Sequence, residues 1–260
     1  MASRTHVKLA AAQMPGSNSI VRNLEEIERF AVEACEQKAD ILCFPECALT
    51  GYGPSYHKSP LALSAEEVAS GIAEVRRIAR KLRLAMILGT QMPVHSAFSN
   101  SALLIRPDGR LACQYDKIHL YGRDVEFYRA GRDKPCLART RGISVGMLIC
   151  FDLRFPELFR PLALGGGRII FVPSHIHGPG THWKNTVIAS HVSSRAAENG
   201  RFVFFVNTAG ATQNAPSMIA NPRGEIVAKC RRGARQLLVV DVNPSRVDNS
   251  FVSCRRPDLY

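Results

Sequence analysis

Apolar runs alternate along this chain with segments whose apolar positions repeat at helical spacing. A continuous or alternating apolar run is typical of a buried strand, whereas a repeat at i, i+3 and i+4 predicts an amphipathic helix. The predicted strands cover residues 6–14, 41–44, 85–90, 100–106, 111–117, 144–150, 168–173, 202–207, 218–228 (a hairpin) and 237–242. The predicted helices cover residues 19–39, 64–82, 155–164 and 181–198.

The order of these elements indicates the fold class. Strands that alternate with helices predict an α/β protein with extensive parallel pairing. Residues 100–117 are expected to form a hairpin around Pro107-Asp108-Gly109, and residues 218–228 form a second one. Such hairpins are inconsistent with a wholly parallel barrel. Since no repeat, low-complexity segment or linker interrupts the pattern, we expect one domain over residues 1–260.

Composition and charge limit the class of protein. Apolar residues make up 46% of the chain, and no apolar stretch approaches the length of a membrane span. The first residues lack the apolar segment of a signal peptide, so we expect a soluble, cytoplasmic protein without a membrane partner. The net charge is +12, but basic clusters are dispersed and lack aromatic neighbours, which argues against nucleic-acid binding. An anionic substrate would fit this charge, although no individual residue indicates it.

One of the eight cysteines has surroundings that suggest chemistry. No Cys-x-x-Cys pair occurs, and without a secretory signal most cysteines are expected to be reduced, buried and small. Cys150 ends a predicted strand and is followed by Phe151 and a predicted helix. A cysteine at such a turn exposes its sulfur, and the backbone N–H of Phe151 then faces a developing oxyanion. By itself, Cys150 is equally consistent with one more buried thiol.

Two charged residues lie at comparable strand ends. Glu46 follows the apolar run 41–44 and a proline, so burial would raise its pKa into the range useful for acid–base catalysis. Lys117 follows the strand 111–117 and would supply a fixed positive charge. Taken alone, Glu46 could equally form a salt bridge at the edge of the sheet, and Lys117 could be an ordinary solvated lysine. Because ligands bind at the carboxyl ends of strands in α/β proteins, a common site for all three residues is the sharper hypothesis.

The three residues and their neighbours resemble the nitrilase (carbon–nitrogen hydrolase) superfamily, amidase or Nit-like branch. That family has a Glu-Lys-Cys triad in this chain order, and the resemblance extends over essentially the whole chain. The segments that carry it are residues 9–14, Phe44-Pro45-Glu46, 49–52, Tyr115-Asp116-Lys117-Ile118-His119-Leu120, 150–157, 195–199 and 255–260.

The resemblance implies a fold, a reaction and an assembly. The expected fold is a four-layer α-β-β-α sandwich of two mixed sheets, and related chains pair into homodimers or higher homo-oligomers. The expected reaction is cysteine-dependent hydrolysis of a small-molecule C–N bond, with Cys150 as nucleophile, Glu46 as base and Lys117 with the Phe151 N–H as oxyanion donors. Many relatives have a second glutamate after the lysine, and Glu126 fits that placement. The resemblance implies that Glu126 orients Lys117 and the substrate amino group. No metal or organic cofactor is implied.

The substrate is less constrained than the reaction. Phe151-Asp152 after the cysteine resembles amidases, since true nitrilases tend to have Trp-Glu there, so an amide is favoured over a nitrile. The alternatives are an N-carbamoyl amino acid or amine, and a nitrile. Substrate-binding candidates on loops after the strands are Tyr52, Tyr121, His175 and Trp183.

Three other classes remain open at this point. Histidines 175, 177, 182 and 191 suggest a zinc site, but the sequence offers no convincing third ligand. A papain-like Cys-His hydrolase would require a local signature that is absent. A catalytically silent scaffold with the same fold would have little reason to retain Glu46, Lys117 and Cys150 together.

Overall fold

Two β-sheets form the centre of the computed structural model, which describes residues 6–59, 62–179 and 183–258. The strands are β1 Val7–Gln13, β2 Ile41–Cys43, β3 Ala85–Val94, β4 Ala97–Ile105, β5 Leu111–Asp116, β6 Tyr128–Arg129, β7 Leu137–Thr140, β8 Ile143–Met147, β9 Ile169–Ser174, β10 Phe202–Asn207, β11 Met218–Ala220, β12 Ile226–Lys229 and β13 Gln236–Val242. The helices are α1 Ile20–Glu36, α2 Gly53–Tyr56, α3 Ala65–Leu82, α4 Asp124–Phe127, α5 Pro156–Leu164, α6 Trp183–Asn199 and α7 Ser250–Ser253, with 3₁₀ turns at Cys150–Arg154 and Pro244–Arg246.

Each sheet combines a parallel centre with antiparallel flanks. The first has the order β13-β1-β2-β3-β4-β5, with β6 paired to β4, and its β1, β2 and β3 are parallel. The second has the order β12-β11-β10-β9-β8-β7, with β8, β9 and β10 parallel. The carboxyl ends of the parallel strands are therefore available in both sheets for a common site.

The sheets are covered on both faces, which explains their continuous apolar runs. In β1, Leu9 and Ala11 belong to the core between the two sheets, whereas Ala10 and Ala12 pack in a second core with α1 and α3. Helices α5 and α6 supply Phe159 and other apolar side chains to the core around the second sheet. The result is the four-layer α-β-β-α sandwich of two mixed sheets, as expected.

Capping residues determine where helices α1 and α3 begin. The Ser19 side chain caps α1 by accepting from the Arg22 N–H. Ser64 and Glu67 form a reciprocal capping box at the start of α3, which satisfies backbone donors that the first helical turn leaves unpaired. Since an N-cap is a matter of neighbouring residues, both starts were predictable from sequence.

Several elements differ from the sequence prediction. Strand β3 continues to Val94, beyond the predicted end at residue 90, because it pairs with the full length of β4. Strand β7 and the short helices α2 and α4 were not predicted, since they are too short to show a period. The predicted helix start at residue 181 lies outside the described residues, as do residues 1–5 and the last two of the tail motif 255–260.

Candidate active site

Glu46, Lys117 and Cys150 meet at the carboxyl ends of three strands. Glu46 and Lys117 follow β2 and β5 of the first sheet, and Cys150 follows β8 of the second. The Glu46 Oε1 and Lys117 Nζ atoms are 2.8 Å apart, and both side chains are at most 1% exposed. The Cys150 thiol lies close enough to Glu46 for each group to shift the pKa of the other. A carboxylate, an ammonium and a thiol thus share one water-poor site between the sheets.

Three donors hold the Glu46 carboxylate in place. Its Oε1 accepts from Lys117 and from Asn100 Nδ2, at 2.7 Å for the amide. Its Oε2 accepts from the backbone N–H of His175 at 2.8 Å. Burial raises the pKa of Glu46, the Asp124 charge raises it further, and Lys117 opposes both. The group is therefore oriented for proton transfer and has a pKa suited to it.

Asp124 is the second carboxylate at Lys117. Its Oδ2 lies 2.7 Å from Lys117 Nζ and accepts from the Tyr121 N–H, and its Oδ1 accepts from the Tyr52 hydroxyl. Burial lowers the pKa of Lys117, but the nearby Glu46, Cys150 and Asp124 outweigh that effect and raise it overall. Lys117 therefore stays charged in the interior.

The expectation that Glu126 orients Lys117 is corrected by this geometry. Glu126 pairs with Arg123 at the surface, where its side chain is 53% exposed. Residues two apart on a helix point to opposite sides, so the short helix α4 can direct only one of Asp124 and Glu126 inward. The sequence offered no local signal for Asp124, because both acids lie in the same polar segment and only burial distinguishes them.

Cys150 occupies a strained turn. Its φ of 49° lies in the left-handed region, which L-residues with a side chain rarely adopt. Asp152 stabilises the turn by accepting from the Ile149 N–H at 3.1 Å, the Tyr115 hydroxyl at 2.8 Å and the His119 N–H at 3.0 Å. Burial raises the pKa of the Cys150 thiol, and the Glu46 charge adds to this.

A second brace comes from α6. The buried Arg195 guanidinium donates to the backbone carbonyls of Leu153 and Arg154, both at 3.0 Å. It also pairs with Glu198 one helical turn later. The sequence segment 195–199 thus contributes by fixing the chain that follows the thiol.

A cavity of about 470 Å³ opens onto the thiol. The predicted residues Tyr52, Tyr121, His175 and Trp183 all line it, together with Phe151. Sequence reasoning missed its other lining residues, which are Ser55, Leu153, Arg154, Ile176, His177, Lys184 and Ile188. Asp152, which contributed to the amide prediction, does not line the cavity. It affects the site by accepting a hydrogen bond from the backbone of the turn that carries Cys150.

The histidines at this cavity are held by other protein groups. The His175 ring stacks on Tyr52 at 4.7 Å between centroids, and its Nδ1 lies 3.1 Å from Thr208 Oγ1. Burial lowers the pKa of His175 to about 3, so its ring is neutral. Within the described ranges, no three His, Cys, Asp or Glu side chains could hold a metal ion together, and His182 of the zinc hypothesis lies outside those ranges. Among described helices, none is long and apolar enough to cross a membrane.

Known proteins share this architecture. The family model for Carbon-nitrogen hydrolase matches residues 8–250. A "Hydrolase in pqqF 5'region" from Pseudomonas protegens is 31% identical over 95% of this chain and 87% of its own. An "(R)-stereoselective amidase" from Pseudomonas sp. is 29% identical over 87% of this chain and 83% of its own.

A solved structure adds chemical detail. It is a variant of the amidase from Nesterenkonia sp. AN1 that shows covalent addition of the acetamide moiety of fluoroacetamide at the active-site cysteine. Its TM-score is 0.86 with 26% identity, over 98% of this chain and 95% of that one. With the family match over nearly the whole chain, these likenesses lead to one conclusion. The chain belongs to the carbon-nitrogen hydrolase family, in its amidase or Nit-like branch.

Proposed function

We propose that this hydrolase cleaves the amide bond of a small molecule to a carboxylic acid and ammonia, through a thioester on Cys150. The observation that carries the proposal is the buried Glu46, which contacts the Lys117 ammonium and the Cys150 thiol at the end of the cavity. A base, a cation and a nucleophile in mutual contact are what acyl transfer requires.

The first half of the reaction forms the thioester. Glu46 accepts the thiol proton while the sulfur attacks the amide carbonyl carbon, and the negative charge moves to the carbonyl oxygen. Lys117 and the Phe151 N–H stabilise that oxygen; losing one such donor typically costs about 10²–10³ in turnover. Glu46 then donates its proton to the nitrogen, the C–N bond breaks and ammonia leaves.

The second half returns the free enzyme. A water molecule loses a proton to Glu46 and attacks the thioester carbonyl. The carbonyl re-forms as the C–S bond breaks, and the sulfur regains the proton from Glu46. Glu46 must therefore act as base and acid in turn, which its raised pKa favours.

The cavity lining favours an amide that carries a carboxylate. Among the described residues, Arg154 and Lys184 line it besides Lys117 and carry positive charge, and no described Asp or Glu lines it. Neither Arg154 nor Lys184 forms an ion pair with a carboxylate of the described residues. Phe151 and Ile188 supply apolar surface to the same cavity. A short apolar chain with an amide at one end and a carboxylate at the other fits this arrangement.

The experiment compares ammonia release from matched substrates: a dicarboxylic acid monoamide, the neutral amide of equal length, the N-carbamoyl amino acid and the corresponding nitrile. We expect the monoamide to have the highest kcat/KM. Arg154→Met and Lys184→Met should each raise KM for it about tenfold while the neutral amide is unaffected. Preference for the nitrile or the N-carbamoyl compound would overturn the amide proposal.

The nucleophile is tested separately. Rapid quenching followed by peptide mass spectrometry should locate an acyl group on Cys150, and Cys150→Ala should form no adduct. A Cys150→Ala variant with normal turnover would overturn the thioester mechanism, whichever substrate is preferred.

A further inference from the structure

Two cysteines outside the active site form a contact between the sheets. Cys113 lies in β5, the edge strand of the first sheet, and Cys136 immediately precedes β7, the edge strand of the second. The Cys136 Sγ lies 3.6 Å from the carbonyl oxygen of Gln114, the residue next to Cys113. The two thiols lie close enough to shift each other's pKa, and both are free.

Both thiols are accessible to a small reagent. Each is half-buried and packs against the rim of the core between the sheets. Cys113 points to the same face of β5 as Tyr115, whose hydroxyl bonds to Asp152 beneath the nucleophile turn. The pair therefore lies behind the active site and outside the cavity.

We propose that Cys113 and Cys136 are a disulfide-forming site, oxidised by hydroperoxides, that covalently joins the two sheets. The cross-link would close the chain segment 113–136, which carries Lys117, Tyr121 and Asp124. The base of that segment is already closed by the Gly131 N–H, which donates to the Lys117 carbonyl at 2.8 Å. This hydrogen bond already brings the two ends of the segment together, so a disulfide between them requires no change in the course of the backbone.

The two thiols are suited to different steps. The interaction between the two thiols lowers the pKa of Cys136, whereas the same interaction, together with burial, raises the pKa of Cys113. Because the thiolate is the nucleophile, Cys136 reacts first. Its sulfur attacks the peroxide O–O bond, which gives a sulfenic acid and, from hydrogen peroxide, water.

The second step forms the cross-link. The Cys113 sulfur attacks the sulfenic sulfur, the S–O bond breaks, and the hydroxyl leaves as water with the Cys113 proton. Overall, two thiols and one peroxide give one disulfide and two waters, and a thiol reductant reverses the change.

The experiment uses the full chain with Cys150→Ala, so that the proposed nucleophile cannot consume the oxidant. After treatment with one equivalent of hydrogen peroxide, non-reducing peptide mapping should find Cys113 joined to Cys136. The cross-link should raise Tm by about 5 °C, because it restricts the unfolded chain, and dithiothreitol should abolish the rise.

Matched variants separate the two steps. Cys113→Ser should leave a sulfenic acid on Cys136 that dimedone traps, whereas Cys136→Ser should leave Cys113 unreacted. Cys35→Ser and Cys254→Ser, which change exposed thiols, should not affect the cross-link. Disulfides that involve only Cys35 or Cys254, or a 113–136 pair still reduced after the peroxide is consumed, would overturn the proposal. The same mapping on the wild-type chain gives this result even if a variant fails to fold.

Discussion

The balance of three buried charges governs the candidate site. The Lys117 ammonium lies between the carboxylates of Glu46 and Asp124, and the side chains of all three are at most 1% exposed. With two carboxylates and one ammonium, one negative charge is in excess. That excess keeps the Cys150 thiol protonated in the free enzyme, because a further buried anion would be costly. In the proposed reaction, the thiol loses its proton only as the negative charge moves to the carbonyl oxygen of the substrate.

Asp124 is where this balance can be tested. Its charge raises the pKa of both Glu46 and Lys117. Asp124→Asn should therefore lower the pKa of Glu46 and weaken it as a base. The acid limb of the kcat/KM pH profile should move to lower pH, and kcat should fall about 10²-fold with a smaller change in KM. Steady-state kinetics across pH measures both.

Glu126→Gln is the matched control for this prediction. It removes an acid two residues away that pairs only with exposed Arg123, and surface ion pairs contribute little. Its pH profile and kcat should match those of the wild type. A profile that shifts with Glu126→Gln and stays fixed with Asp124→Asn would contradict the assignment of Asp124 as the positioning residue.

At the scale of single elements, the turn from β8 into α5 concentrates strain at the reactive residue. A left-handed conformation costs a residue with a Cβ roughly 1–2 kcal/mol, and Cys150 has a φ of 49°. Hydrogen bonds to Asp152 and from Arg195 over-determine the turn and hold it in that conformation. In this conformation Cys150 lines the cavity.

The strain predicts an order of stability. Cys150→Gly removes the Cβ that makes a φ of 49° unfavourable. Against this gain, glycine lowers the stability by about 0.5–1 kcal/mol through the larger conformational entropy of the unfolded chain. Cys150→Gly should therefore be about 0.5–1 kcal/mol more stable to unfolding than Cys150→Ala. Urea denaturation of the two variants measures the difference. A glycine variant about 0.5–1 kcal/mol less stable than the alanine variant would mean that the turn stores no strain.

Elements were predictable where their signals were local. The start of α3 at Ser64 and the Pro107-Asp108-Gly109 turn depend on neighbouring residues, and the sequence predicted both. Strand β7 and helices α2 and α4 were missed because their formation depends on partners distant in sequence. Asp124 belongs to the same category, since its partner Lys117 becomes buried only when β5 joins the sheet.

At the scale of the whole molecule, the net charge of +12 bears on how substrate reaches the site. Arg154 and Lys184 give the cavity lining the same sign as the net charge of the chain. A basic surface that surrounds a cationic cavity attracts anionic substrates and accelerates their encounter. Salt screens this attraction over about 10 Å at 0.1 M.

The charge leads to a test with ionic strength. For a dicarboxylic acid monoamide, kcat/KM should fall about three- to tenfold as added salt increases from about 0.02 M to 0.5 M, because screening weakens steering and binding. For the neutral amide of equal length, kcat/KM should change by less than about twofold. An equal response of both substrates would show that the charge does not act on the substrate.

The sequence alone determined the α/β class, and its family resemblance predicted the layered fold and the three candidate residues Glu46, Lys117 and Cys150. Periodicity and capping are properties of neighbouring residues, and the Glu-Lys-Cys order is written along the chain. Only the tertiary structure decided which acid reaches Lys117, which cations line the cavity and which thiols meet across the sheets. Those contacts join residues from different strands and both sheets, and burial, which selected Asp124 over Glu126, exists only in the folded chain.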